Sequence, residues 1–97
     1  MNLMTKISID TSVVVADDVV SCDLDGEAAI LNLKDGVYYG LDPIGAKIWN
    51  LIQNPRTLND VVEKIWEEYD VEKDQCKDDI FELIGELLNN GLVKVNE

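Results

Sequence analysis

The spacing of hydrophobic residues along this chain changes once, near residue 42. Before that point, three short β-prone apolar runs, separated by two Asp-Gly pairs, lie at 19–24, 28–33 and 37–41. An Asp-Gly pair between apolar runs is typical of a type I′ hairpin turn, because that turn needs positive φ at both central residues. The first half of the chain therefore predicts a three-stranded antiparallel sheet.

The second half has helical spacing, with apolar residues recurring every three or four positions. Asp42 and Pro43 are typical of an N-cap and the first residue of a helix. Asn90-Gly91 is typical of a helix C-terminus. The first predicted helix runs from residue 43 through residue 52. The second runs from residue 57 to about residue 69, and the third from about residue 73 to residue 90.

Two segments have a weaker pattern. Alternation over 7–15 predicts a loose strand or an arm, and residues 92–95 predict a short final strand or an extended tail. Strands followed by helices give an α+β domain with the helices on one sheet face. We expect one domain over 1–97, with 1–12 as a loose arm or strand.

Charge excludes several classes of function. Lys and Arg number 8 against 20 Asp and Glu, which gives a net charge of −12, and the chain has no histidine. An acidic surface repels phosphate backbones and anionic lipids, so we expect no nucleic-acid or membrane partner. Without histidine there is no Ser-His or Cys-His nucleophile pair. We predict no catalytic residue, no metal site and no cofactor, and hence no enzyme.

The two cysteines and the N-terminus point to the cytoplasm. No apolar run approaches the ~20 residues of a membrane helix, and the first ten residues lack the apolar centre of a signal peptide. Cys22 and Cys76 lie far apart in the sequence. Reduced thiols are the preferred interpretation, because cytosolic proteins rarely form disulfides. The alternative, a disulfide, requires the first predicted strand to meet the third helix.

The third predicted helix has a wider apolar sector than one packing contact needs. Projection at about 100° per residue separates it into two arcs, which contain Cys76, Ile80, Leu83 and Leu87, and then Phe81, Ile84 and Leu88. Gly85 lies mid-helix at a propensity cost of about 1 kcal/mol relative to Ala, which indicates a close approach by another group. The alternative is that the sheet buries both arcs.

The strand predicted at 37–41 has the matching feature. In the simplest strand order it is an edge, and it contains no charge and no proline, the residues that usually protect edges. An apolar edge beside a helix with surplus apolar surface favours β-augmentation by an incoming peptide. Two alternatives remain: Val95 or the N-terminal arm covers this edge, or the edge pairs with a second copy of the chain.

These residues resemble a known family. The similarity is carried by 27–33, by Tyr-Tyr-Gly-Leu-Asp-Pro at 38–43 followed by Gly-Ala-x-Ile-Trp at 45–49, and by 69–71 and 87–93. The chain is similar over 13–95 to the PqqD-like family, the precursor-peptide recognition elements of ribosomally made, modified peptides. The resemblance implies a winged helix-turn-helix-like fold with a three-stranded sheet and three helices.

The family resemblance also implies a binding site. Members bind the leader segment of a precursor peptide as an added strand, between the third strand and the third helix. Carried over to this chain, the peptide-binding residues are Val37, Tyr38, Tyr39, Gly40 and Leu41 on the strand and Phe81, Ile84, Gly85 and Leu88 on the helix. Lys77 projects between the two arcs and is expected to reach an acidic leader residue.

The resemblance leaves the processing partner open. A stand-alone chain of this length looks most like the recognition protein of lasso-peptide pathways, which partners a leader peptidase. The alternative is a peptide chaperone for a radical SAM peptide-modifying enzyme. We expect a monomer or weak homodimer.

A winged-helix DNA-binding regulator is the rival from another class. Residues 60–97 contain twelve acids and four bases, however, which would face DNA phosphates unfavourably.

Overall fold

The computed structural model of the chain describes residues 7–96. Its elements, in chain order, are β1 (Ser12–Val15), β2 (Val19–Leu24), β3 (Glu27–Asn32), β4 (Tyr38–Leu41), α1 (Pro43–Leu51), β5 (Arg56–Thr57), α2 (Leu58–Glu68), α3 (Lys73–Asn89) and β6 (Val93–Val95). The parts of the single-domain prediction that concern residues 1–6 and residue 97 lie outside the described residues.

The main sheet is antiparallel, with strand order β2-β3-β4. Its register pairs Ile30 of β3 with Tyr39 of β4 and with Ser21 of β2. Ala28, Ile30 and Leu41 are buried on its inner face. The predicted α+β class, a three-stranded antiparallel sheet followed by three helices, is confirmed.

The two turns of this sheet differ. Asp25 and Gly26 both have positive φ, at 58° and 90°, which confirms the first type I′ turn. At the second Asp-Gly pair only Gly36 has positive φ, at 73°. The prediction of a type I′ turn at this pair is therefore wrong. The Asn32 side chain accepts a hydrogen bond from the Lys34 N–H, and the Asn32 carbonyl accepts one from the Gly36 N–H. These bonds turn the chain earlier and give a wider loop.

A second sheet, with strand order β5-β1-β6, was not predicted as such. The arm at 12–15 is its central strand, and Val13 pairs with Val95 on one side and with Arg56 on the other. Val13 is fully buried. The N-terminal arm and Val95 therefore pair with each other, and the alternative that they cover the edge of β4 is wrong for the described residues.

The helix boundaries follow local capping. The Asp42 carboxylate accepts a hydrogen bond from the Gly45 N–H at 2.8 Å and caps α1, as predicted. At the end of α3, the Leu92 N–H donates to the Leu87 carbonyl and Gly91 has a φ of 74°, a Schellman motif. No helix within residues 7–96 is long and apolar enough to cross a bilayer.

The helices and both sheets share one core. Trp49 of α1 is 2% exposed and donates its indole N–H to the Ser21 hydroxyl of β2 at 3.0 Å. Leu58, Ile80 and Ile84 supply the buried faces of α2 and α3. The core therefore fixes α3 relative to the main sheet.

Both cysteines are free thiols. Cys22 is exposed on β2, and Cys76 is buried on α3. The preferred interpretation of two unpaired thiols agrees with the structure. Burial, with a smaller contribution from the Asp79 carboxylate, raises the pKa of the Cys76 thiol. Because the thiolate is the nucleophile, Cys76 is an unreactive core residue.

Candidate functional site

The outer edge of β4 is a free strand edge among residues 7–96, since β4 pairs with β3 alone. On the paired side, the Asn32 N–H donates to the Val37 carbonyl at 3.1 Å. Hydrogen-bonded pairs alternate along an antiparallel ladder. It follows that the backbone groups directed toward the free edge are those of Tyr38 and Gly40.

A groove with a volume of about 560 Å³ lies between the end of β4, the start of α1, and α3. Its floor is apolar because Leu41, Ile48 and Ile80 line it and are buried. The remaining lining residues are Gly40, Asp42, Ile44, Gly45, Asp79, Glu82, Leu83 and Glu86. A strand added to β4 would border this groove at the Gly40–Leu41 end of β4.

The groove contacts one flank of α3. At about 100° per residue, Asp79, Glu82, Leu83 and Glu86 fall together on one side of the buried line of this helix. These four residues are called the groove flank. Leu83 is partly buried, and the three carboxylates beside it are exposed.

The predicted helix residues lie elsewhere on α3. Lys77, Phe81, Gly85 and Leu88, called the back flank, project about 150° away from the groove flank, and none of them lines the groove. Ile84 lies in the core and is fully buried. The structure therefore does not bring these residues to the groove beside β4.

The strand residues divide between the two faces of the sheet. Gly40 and Leu41 line the groove. Tyr39 projects inward, and its hydroxyl donates to the Asn90 side chain at 3.2 Å, which ties β4 to the end of α3. Tyr38 is on the outer face and is 71% exposed, and Val37 is also exposed.

Two expectations about the back flank can be compared with its geometry. A Cβ atom added at Gly85 would meet nothing within 4 Å, so no described group makes the close approach that its mid-helix position indicated. The Lys77 ammonium lies over the Phe81 ring, 5.8 Å from its centroid. The Lys77 side chain therefore contacts Phe81 of its own helix.

The groove is negatively charged. The Asp42 carboxylate accepts from the Gly45 N–H, and Asp79 accepts from the Gln75 side chain at 2.9 Å. Within residues 7–96, the carboxylates of Glu82 and Glu86 take part in no ion pair, since the five ion pairs of this part of the chain lie elsewhere.

One of those five ion pairs joins two helices away from the groove. The Lys47 ammonium of α1 contacts the Glu68 carboxylate of α2, and this hydrogen bond raises the pKa of Lys47. The bases of all five ion pairs thus contact carboxylates outside the groove, and no basic residue among 7–96 lines it.

Sequence reasoning missed the acidic residues of the groove flank. Asp79, Glu82 and Glu86 entered only among the twelve acids over 60–97, as charges unfavourable to DNA. The available signal was Leu83, which projects with Ile80 on the first apolar arc. Following that arc to its polar border would have found all three acids.

Comparison with solved structures finds this fold in two leader-peptide complexes. TbiB1 in complex with the TbiA(beta) leader peptide has 32% sequence identity and a TM-score of 0.79, covering 84% of this chain and 94% of that chain. Lasso peptide synthetase B1 complexed with the leader peptide has 23% identity and a TM-score of 0.75, covering 84% and 96%. A search of curated proteins finds no match.

A family profile covers most of the chain. The family described as Coenzyme PQQ synthesis protein D (PqqD) matches residues 27–93. This range begins at β3 and extends through all three helices to the first residue of β6. It contains the Tyr-Tyr-Gly-Leu-Asp-Pro stretch that carried the resemblance, which is thereby confirmed. The chain belongs to the PqqD family.

Proposed function

We propose that this chain binds the leader segment of a ribosomally synthesised precursor peptide, which adds as a strand to β4, and presents it to a processing enzyme. The observation that carries the proposal is the free edge of β4 beside an apolar-floored groove. A member of the same fold at 32% identity is in complex with a leader peptide, which supports the same class of ligand here.

The backbone of β4 supplies the first part of the affinity. The N–H and C=O groups of Tyr38 and Gly40 are available to an added strand, and strand addition obtains affinity from main-chain hydrogen bonds. Gly40 has no side chain, and a Cβ there would meet nothing within 4 Å, so the peptide can approach its backbone closely.

The groove supplies selectivity through side chains. Successive side chains of a strand point to opposite faces, so every second residue of the peptide faces α3. We propose that these residues contact Leu41, Ile48 and Leu83. The strand residues Val37, Tyr38 and Tyr39 extend the binding surface along β4 beyond the groove.

The helix side of the site has two candidate sets of residues. The groove flank has the support of its position beside β4. The residues implied by the family resemblance are Phe81, Ile84, Gly85 and Leu88, and Lys77 was added from its place on the helical projection. They stay a prediction that requires the peptide to cross to the back flank. Our proposal uses the groove flank, and the variants described in the Discussion separate the two.

We propose that the enzyme receiving the peptide is a leader peptidase of lasso-peptide maturation. The support for a lasso-peptide pathway is that Lasso peptide synthetase B1, which shares this fold, is complexed with a leader peptide; a radical SAM enzyme stays the alternative. The chain itself is proposed to be non-catalytic, because its candidate site offers carboxylates and apolar side chains but no nucleophile with an adjacent base.

The test is calorimetric titration with synthetic precursor leaders, including the TbiA(beta) leader, followed by residue-resolved amide exchange. We expect the Tyr38 and Gly40 amides to gain protection on binding, because their N–H groups face the free edge. The Tyr39 amide already faces β3 and serves as the internal control.

Two outcomes would contradict the proposal. One is that leaders bind without protecting the Tyr38 and Gly40 amides, which would place the site elsewhere. The other is a homodimer, seen by light scattering, that protects these amides without peptide and ignores added leader. In that case the edge serves self-association.

A further inference from the structure

Building on the proposed function, we propose that the peptide held in this groove carries a Lys or Arg side chain directed at Glu82 and Glu86. The occupant is thus an extended basic peptide. The inference starts from the negative charge of the groove. Strand addition to the free edge of β4 and apolar contacts with the groove floor do not explain this charge.

The charge arrangement is unfavourable without such a partner. Among residues 7–96, four carboxylates and no basic side chain line the groove. Glu82 and Glu86 lie one turn apart on α3, and like charges at this spacing destabilise a helix. Lys77, a base of the same helix, lies over the Phe81 ring on the back flank and does not neutralise the two carboxylates. A cation from a ligand would relieve this repulsion.

The shape of the groove matches a long basic side chain. Its floor of Leu41, Ile48 and Ile80 is apolar, and its rim carries Glu82 and Glu86. Lys and Arg lay an apolar stem along such a surface and keep the charged group at the polar border. Since alternate residues of an added strand face α3, one position suffices to place this side chain.

The same observations disfavour a second copy of the chain as occupant. Pairing through 37–41 would bring no basic residue to the groove, because that strand contains none. It would also bring together two chains that each carry a net charge of −12. A basic peptide has the complementary charge, which favours both its capture and its retention.

The experiment uses the full chain and an array of synthetic precursor leaders that includes the TbiA(beta) leader. Each leader is made in its natural form, with every Lys and Arg replaced by Gln, and with them replaced by Glu. On the protein side, the double variant Glu82→Gln, Glu86→Gln is compared with Glu67→Gln, Glu72→Gln, which removes the same charge outside the groove lining. Affinities are measured by calorimetry at low and high salt.

We expect the leaders that bind to contain Lys or Arg, and their Gln forms to bind roughly five- to tenfold more weakly. In the Glu82, Glu86 variant that difference shrinks toward unity, and in the control variant it persists, which is the signature of coupling in a double-mutant cycle. Higher salt weakens the natural leaders more than their Gln forms.

Equal affinity of the natural and Gln forms would overturn the inference and leave strand addition intact. Tighter binding of the Glu forms would also overturn it, and would favour Lys77 as the contact. If no leader in the array binds in any form, the proposed function itself fails. The two failures are therefore distinguishable.

Discussion

The groove flank and the back flank of α3 are two sides of one helix with different neighbours and different charge. The groove flank combines Leu83 with three carboxylates and faces the space beside the free edge of β4. The back flank combines Phe81 and Leu88 with Lys77, and its two apolar side chains pack against the core. Within the part of the chain that the structure describes, the groove flank and not the back flank borders the unpaired backbone of β4.

The difference teaches that tertiary placement, rather than amphipathicity, determines which side of this helix faces the free edge of β4. Both flanks border the same buried line, which includes Ile80 and Ile84. The Tyr39 hydroxyl reaches the Asn90 side chain, which projects near the groove flank at about 100° per residue. This contact and the core between sheet and helix turn the groove flank toward β4.

The largest expected effect comes from replacing one leucine of α3 with asparagine, on the groove flank or on the back flank. Leu83 and Leu88 are both partly buried on α3, so Leu83→Asn and Leu88→Asn are matched variants. We expect Leu83→Asn to weaken leader binding about tenfold, because covering an unpaired amide with peptide costs ~1–3 kcal/mol. Leu88→Asn should bind leader like the parent. Calorimetry measures both affinities.

Asn is chosen because it leaves the charge of the groove unchanged. The free energy of unfolding of each variant, from urea titration, controls for lost packing. If Leu88→Asn loses binding and Leu83→Asn does not, the peptide crosses the back flank, and the helix residues implied by the family resemblance are the site.

Elements with strong local signals could be predicted from the sequence. The Asp25-Gly26 turn follows from its residue types, and the caps at Asp42 and Gly91 follow from local hydrogen bonding. The second hairpin turn could not be predicted fully. Its geometry depends on the Asn32 side chain, which donates to the Asn90 carbonyl 58 residues away, and a long-range contact leaves no local pattern.

The second sheet and the groove flank were hidden for the same reason. β1 has a short apolar pattern, and its strand conformation depends on pairing with β5 and β6 from distant parts of the chain. The periodicity of α3 identifies its buried residues but not which flank β4 approaches. Leu83 and Phe81 both border that buried line, so only the packing of the sheet distinguishes them.

A smaller effect is expected from replacing Gly85, the glycine of the back flank, with alanine. Because a Cβ at Gly85 meets nothing within 4 Å, Gly85→Ala should raise the free energy of unfolding by about 1 kcal/mol through helix propensity. Gly45→Ala is the control, since its Cβ would lie 3.2 Å from the Cβ of Leu41 and the gain would be offset. Urea unfolding followed by circular dichroism measures both variants.

The leader affinity of Gly85→Ala then tests whether the peptide contacts the back flank. With the peptide on the groove flank, Gly85→Ala should bind leader as the parent does. Loss of binding in a stabilised variant would mean that the peptide, and not the protein, makes the close approach at Gly85.

The smallest expected effect concerns the cation on the back flank. Lys77→Gln removes the ammonium lying over the Phe81 ring and should lower the free energy of unfolding by about 0.5 kcal/mol, as for exposed cation–π pairs. Phe81→Leu removes the ring and keeps the charge, so the double variant isolates the pair in a mutant cycle. Leader affinity should stay unchanged in Lys77→Gln, because Lys77 is outside the groove lining. A clear loss of affinity for a leader with an acidic residue would instead give Lys77 the recognition role expected from its place on the helical projection, and would move the site to the back flank.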